Sequence, residues 1–235
     1  MKKILAVLLA AVMAFAFTGC AKKGGSDIDV NNTGTPEADE NTEKPTKAPA
    51  HEAELTLESL MARDPSPEEY FSAADNTRGG AYIVGYTGDE SVIVIPETIA
   101  SLTTASIDGY ILSNSETLEA IRFADSMTYI GDNVCGNCQA LKYAVIGENV
   151  EEIGENTFLG CISLEKVVLG SKLKSIGPFA FGGCSKLKEI EIPESVTSIG
   201  EAAFFGVAEN FKIIGKSGSY AETYAREEGF EFIAK

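Results

Sequence analysis

Apolar side chains return along the last two-thirds of this chain at a fixed step of 23 residues. Ile107, Ile130, Ile153, Ile176 and Ile199 make one column, and glycine follows the last four of them. Leu118, Leu141, Leu164 and Leu187 make a second column, Phe158, Phe181 and Phe204 a third, and Cys138, Cys161 and Cys184 a fourth. Several columns sharing one spacing exclude coincidence. A period in the twenties denotes turns of one supersecondary unit stacked on each other.

The best-preserved turn, Gly183 to Phe204, predicts the local structure. In Leu187-x-x-Ile190-x-Ile192-Pro193 the two isoleucines share one face of a strand, and Pro193 ends it. Ser195-Val196-x-x-Ile199-Gly200 turns the chain back, with Gly200 expected to supply a tight or left-handed backbone. Glu201 to Phe205 then reads as a helical turn with Phe204 inward. One turn cannot bury these side chains alone, so the core must be a set of ladders running through the stack. Earlier turns are degenerate: Leu112 and Cys135 hold the Phe column, Ser115 the Cys column, Met127 the Val column, and Ala124, Gly147 and Gly170 the place of Pro193. Val207 and Asn210 interrupt the Cys and Leu columns at the far end.

The text SIGPFAFGGCSKLKEIEIPESVTSIGEAAF, with weaker copies upstream, resembles the BspA-like leucine-rich repeat family of bacterial surface proteins. The resemblance runs from about Gly79 to Lys235. It implies a leucine-rich repeat solenoid of α/β type, made mostly of short parallel β-strands with helical turns, in 23-residue repeats capped at both ends. The expected organisation is a leader over 1–19, a lipidated Cys20 with a tether over 20–60, an amino-terminal cap over 61–106, repeats over 107–210 and a carboxy-terminal cap over 211–235. Solenoids of one kind bind many different things, so the fold specifies little about the ligand.

Before the repeats, Lys2 and Lys3 precede an apolar run, Ile4 to Phe17, too short to span a bilayer. Phe17-Thr18-Gly19-Cys20 resembles a lipobox, which implies cleavage before Cys20 and acylation of its sulfur. Two or three acyl chains anchor a protein stably where one is marginal. Ala21 to Leu60 is polar and almost free of aromatic and branched apolar side chains, as a disordered acidic tether is. About 40 flexible residues reach roughly 35 Å. Ser66-Pro67-Glu68-Glu69 carries the signals of a helix start, with a helix expected through about Ala74. Tyr82 to Val84 and Val92 to Ile95 read as strands about the turn Tyr86-Thr87-Gly88-Asp89. Ser219 to Glu228 reads as a helix ended by Gly229, and Phe230 to Ile233 as a last strand.

Charge narrows the partners. With 19 basic and 35 acidic side chains the net charge is −16, and loss of Lys2 and Lys3 with a leader makes it −18. Nucleic acid and anionic membrane surfaces need basic patches, and none is present. The charge favours solubility and a monomer.

Little in the chain suggests chemistry. Cys135-Gly136-Asn137-Cys138 has the spacing of a redox dithiol. The repeat places both sulfurs in core columns, however, and the expectation is free, buried thiols. The single histidine, His51, falls in the tether, away from any nucleophile. No calcium loop appears, and catalytic residues, metal and cofactor are expected to be absent.

What varies from turn to turn is the set of outward strand positions: Ala120 and Arg122, Tyr143 and Val145, Lys166 and Val168, Glu189 and Glu191. Tyrosine and valines inside a charged rim have the composition of a binding centre. The candidate ligand-binding residues are Arg122, Tyr143, Val145, Lys166, Val168, Glu189 and Glu191, and Cys20 is the lipidation site. The expected protein is a lipoprotein anchored at the cell surface, binding a protein or glycan, with adhesion implied by the resemblance. Two alternatives stand beside it: a non-catalytic accessory component of the envelope, and an exported thiol oxidoreductase or hydrolase.

Overall fold

The computed structural model describes residues 55–76 and 80–235. The leader, Cys20, His51 and most of the tether lie outside the described residues.

The first element among the described residues is a single helical turn, α1 (Leu57–Met61). Thr56 caps it: the Thr56 hydroxyl accepts from the Ser59 amide at 3.1 Å, and the Ser59 hydroxyl accepts from the Thr56 amide at 3.0 Å. Residues 55–60 are therefore ordered, which corrects the expected end of the tether. Leu60 is fully buried.

The expected helix from Ser66 to Ala74 is absent. A 3-10 turn at Glu68–Tyr70 leads instead into β1 (Phe71–Asn76), which pairs antiparallel with β2 (Gly80–Tyr86) across a bulge between Ser72 and Ala73. Ser66 cannot cap, because its hydroxyl and amide are taken by the backbone of Val94. Glu68 holds the amide of Ala100 at 3.2 Å rather than its own backbone. Phe71 packs at 5.0 Å on Tyr86. Tertiary partners outweigh a local capping signal here.

β3 (Val92–Val94) and β4 (Thr98–Ile99) follow, and β4 folds antiparallel onto β5 (Leu102–Ile107). From there each turn supplies a three-residue strand and a two-residue strand: β6 (Ala120–Arg122) and β7 (Tyr129–Ile130), β8 (Tyr143–Val145) and β9 (Glu152–Ile153), β10 (Lys166–Val168) and β11 (Ser175–Ile176), β12 (Glu189–Glu191) and β13 (Ser198–Ile199). β14 (Lys212–Gly215), α2 (Tyr220–Glu228) and β15 (Glu231–Ala234) close the chain. Gly229 ends α2 with a left-handed φ of 79°.

Three sheets result. The first sheet runs in the order β1-β2-β5-β7-β9-β11-β13, with β4 beside β5, so that the two-residue strands extend the longer entry strands. Their register pairs Ile83, Ile107, Ile130, Ile153, Ile176 and Ile199 in succession. The three-residue strands form β10-β8-β6-β3, and β12-β14-β15 form a separate sheet. All pairings within the last two sheets are parallel, as a solenoid requires.

Between the sheets the ladders are buried. Phe158, Phe181 and Phe204 stack at 5.3 and 5.4 Å with ring planes within 8° and 3° of parallel. Where the degenerate turns put Leu112 and Cys135 in this column, Phe123 comes across from the column of Ile146 and Ile192 and meets Phe158 edge-on at 6.3 Å. A ring from another column thus fills volume that the smaller side chains leave. At the far end Phe211, one residue out of step with the leucine column, stacks 5.2 Å from Phe204. Ile213 pairs with Ile190, so the ladder continues past residue 210 where the sequence suggested it stopped.

Two backbone expectations change. Gly200 is not left-handed; a side chain there would put its Cβ 2.4 Å from the Pro178 nitrogen of the preceding turn. Glycine is needed for close stacking, not for a turn. The left-handed positions lie later in the loop, at Asn114, Asn137, Gly160, Gly183 and Gly206, and a second set stands at Asn133, Asn156, Phe179 and Ala202. That second set interrupts the expected helical turn at Glu201–Phe205 at Ala202 (φ 54°), while Phe204 still points inward and is 1% exposed.

Candidate functional site

The outward strand face does not present its candidates equally. α1 lies over its first half. Leu60 is buried with Val92, Val94, Ala120 and Val145, and Leu55, Leu57, Tyr143 and Val168 pack around them. Val145 is only 5% exposed, so it is no surface residue, and Ala120 is fully covered. Side-chain alternation does place both on the outer side of the strand. The chain's own amino-terminal segment then covers them, which corrects their assignment to an exposed binding face.

Arg122 has a structural task of its own. Its guanidinium donates to the carbonyl oxygens of Met61 and Arg63, the latter at 3.1 Å. Carbonyls at the end of a helical turn lack partners within it, and a cation there is favourable. Arg122 therefore holds α1 down. Tyr143 is half-buried at the edge of this cover.

Past α1 the face is open and becomes a charge ladder. Lys166 Nζ lies 2.8 Å from Glu189, Lys212 Nζ 3.0 Å from Glu231, and Lys235 Nζ 2.7 Å from Glu191. The Lys166 ammonium holds the Glu189 carboxyl below its ordinary range, through its hydrogen bond first and its charge second. Val168 is partly exposed, and Ile214 pairs beside Glu191 in the third sheet. Tyr143, Lys166, Val168, Glu189 and Glu191 remain together on the accessible part of the face. Lys212, Glu231 and Lys235 were missed by sequence reasoning. The signal was present, since Lys212 lies 23 residues after Glu189.

All four described cysteines are free and buried. Cys138, Cys161 and Cys184 each donate Sγ–H to a carbonyl 26 residues back, those of Leu112, Cys135 and Phe158, at 3.0, 3.1 and 3.3 Å. A small, mostly apolar side chain with one weak donor suits such a column. Burial pushes the Cys184 thiol up to about 12 and raises Cys161 as well. The contact with Cys138, then burial, holds Cys135 far above the ordinary thiol range. Cys138 is drawn down by that same contact, but its own Sγ–H is committed to Leu112. Nucleophilic thiol chemistry needs an accessible thiolate, and these are inaccessible thiols. Among the described residues no cluster of His, Cys, Asp or Glu is placed to hold a metal, and no helix is long and apolar enough to cross a membrane.

The family model for the BspA type leucine-rich repeat region matches residues 93–225 in six copies. The chain belongs to the BspA-type leucine-rich repeat family. The matched span begins within β3 and ends within α2, so BspA-type repeats reach into both stretches read from sequence as caps. A solved leucine-rich repeat protein of T. pallidum is similar over 64% of this chain and 71% of its own, at 24% identity and a TM-score of 0.60, a likeness of fold. A leucine-rich repeat protein from Bacteroides ovatus is similar over 62% of this chain at 30% identity and a TM-score of 0.54, and the match spans 39% of that protein. No curated protein matches the sequence.

Proposed function

We propose that this BspA-type protein is exported, lipid-anchored through Cys20, and uses the open half of its outward strand face to bind a protein or glycan at the cell surface. The supporting observation is a contrast between neighbouring columns. Inward from the strands, Ile121, Ala144, Val167, Ile190 and Ile213 are all apolar and at most 3% exposed. One position earlier on the same strands the side chain is Ala120, Tyr143, Lys166, Glu189 and Lys212. The fold constrains the first column and, past Ala120, which α1 covers, leaves the second free to specify a ligand. The centre of the surface is Lys166 and Val168, with Tyr143 on one side and Glu189 and Glu191 on the other. Export and the anchor rest on Lys2, Lys3, the apolar run and Phe17-Thr18-Gly19-Cys20.

The test uses purified protein lacking the leader, offered to panels of polysaccharides, to host cells and to cell-envelope proteins of the source bacterium. Lys166→Ala combined with Val168→Ser is expected to weaken the strongest interaction at least about tenfold with folding retained. Unchanged binding by that folded variant removes this face from consideration. In cells, Cys20→Ala is expected to move the protein from the detergent phase to the aqueous phase.

A further inference from the structure

The edges of the sheets are not finished alike. An edge strand offers unpaired amides and carbonyls to any other chain, and folded proteins blunt it with bulges, short strands or a covering segment. Three edges carry such a device. β1 has its bulge between Ser72 and Ala73. β13 is two residues long. At β3 the chain closes the edge itself, because the Ser66 amide donates to the Val94 carbonyl at 2.8 Å and the Ser66 hydroxyl accepts from the Val94 amide at 3.1 Å. Among the described residues β15 has none of these: it ends its sheet, pairs with β14 alone and runs without bulge or proline.

The Lys235 amide donates to the Gly215 carbonyl at 2.9 Å, and Glu231, Phe232 and Ile233 stand opposite Lys212, Ile213 and Ile214. Backbone groups of alternate residues serve opposite sides of a strand. Those of Glu231, Ile233 and Lys235 therefore face β14, and those of Phe232 and Ala234 face away from the sheet. No hydrogen bond to these outward groups is made among the described residues. The side chains are short of cover as well, with Ile233 37% exposed and the Phe232 ring only half-buried against the core.

A second copy of the same strand fits this edge in one register. Run antiparallel about a two-fold axis at Ile233, Phe232 and Ala234 of one copy lie opposite Ala234 and Phe232 of the other and exchange both hydrogen bonds. Ile233 then meets Ile233 in a non-hydrogen-bonded pair, where side chains approach most closely. On the same face Glu231 of each copy meets Lys235 of the other. Inside the chain these two already pair with Lys212 at 3.0 Å and with Glu191 at 2.7 Å. The junction thus joins two ion pairs into one alternating row, Glu191, Lys235, Glu231 and Lys212, across the two copies. Other arrangements forfeit this match. A register shift of two residues puts Ile233 against Glu231 or Lys235, and a parallel pairing sets Glu231 beside Glu231. The net charge of −16 opposes association only from a distance. At the edge two carboxylates balance two ammoniums, and charges farther off are screened beyond about 8 Å at physiological salt.

We propose that β15 is a self-association edge, through which two copies of this chain pair antiparallel and close as a two-fold dimer. The sheet β12-β14-β15 of one copy continues into β15-β14-β12 of the other. Two strand faces then lie side by side and can engage a repeated ligand together.

The experiment is sedimentation equilibrium on the chain from Ala21, which lacks the leader and Cys20 and so cannot cross-link through that thiol. One strand edge makes a small interface, so reversible dimerisation with a Kd of about 10–300 µM is expected. Ile233→Lys sets like charges against each other on the axis and is expected to weaken the dimer at least about tenfold. Its unfolding midpoint stays that of the parent, because the side chain is exposed. Glu231→Lys alone and Lys235→Glu alone each place like charges across the junction and are expected to weaken self-association at least about fivefold. An equimolar mixture of these two variants restores opposite charges at both positions. It is expected to dimerise at least about fivefold more tightly than either variant alone. The proposal is overturned by a monomer that persists to about 1 mM, by folded Ile233→Lys associating like the parent, or by a mixture no tighter than its components. No ligand enters this experiment, so its failure leaves ligand binding by the strand face standing.

Discussion

The two halves of the outward strand face rest on the same core and have opposite fates. Over β3, β6 and β8 the face is apolar, with Val92, Val94, Ala120 and Val145 sealed under α1. Over β12, β14 and β15 it carries ion-paired lysines and glutamates beside Ile214 and Ile233 and lies open. The sheet itself parts between them, since β10 and β12 fall in different sheets. The contrast teaches that an outward column is not a surface column. Direction is set by strand alternation, but exposure depends on what else the chain brings to that side. The apolar half attracts its own amino-terminal segment, and the charged half, costly to dehydrate, stays in water.

The largest test asks whether the core beneath both halves is one unit. Phe181 is fully enclosed, with Phe158 and Phe204 on either side. Phe181→Ala is expected to cost about 3–5 kcal/mol in denaturant unfolding. Nearest-neighbour coupling in a solenoid carries such a loss to the rest of the stack, so hydrogen exchange is expected to rise in β6 and β14 alike. Destabilisation confined to the turns around Phe181 divides the molecule at the break between β10 and β12.

A smaller test addresses the cover alone. Leu60→Ala truncates the one fully buried side chain of α1. Truncations of this kind cost about 2–5 kcal/mol in a core. Here the loss is limited to the free energy that docks a five-residue helical turn, because further destabilisation merely releases it. Residues 56–63 are expected to lose hydrogen-exchange protection and Val145 to become accessible, with β14 and β15 unchanged. A fall in the global midpoint as large as that of Phe181→Ala makes α1 part of the cooperative core and ends the contrast between the halves.

These differences follow what the sequence could and could not express. The ladders were legible because each turn repeats the same burial, so Ile153, Phe181 and Leu164 recur in register. The hairpin of β1 and β2 was hidden by Ser66-Pro67-Glu68-Glu69, a local helix signal whose polar groups bond instead to Val94 and Ala100, distant in sequence. α1 was hidden in a polar stretch, although Leu55, Leu57 and Leu60 with the Thr56–Ser59 cap were there to be read. Of the candidate site, Lys166, Val168, Glu189 and Glu191 stand where alternation put them. Val145 faces the same way but is covered, by a segment that lies some 85 residues earlier in the chain. The left-handed loop positions were not legible, since Phe179 and Ala202 give no sign of that conformation.

The smallest effect concerns the open half. Lys166 and Glu189 lie 2.8 Å apart with side chains 39% and 44% exposed. A pair so placed gains little Coulomb energy and loses side-chain freedom, so its coupling in a double-mutant cycle is expected to be about 0.2–1 kcal/mol. It should fade toward zero near 1 M salt, where screening acts over about 3 Å. Arg122 is the internal reference. It too is a cation on the outward face, but it meets two carbonyls of the segment it holds down, so Arg122→Ala is expected to loosen α1 at any salt concentration. Coupling between Lys166 and Glu189 above about 2 kcal/mol that persists in salt requires both charges to be shielded from water. The charged half is then covered as the apolar half is, and a ligand approaching it has to displace that cover first.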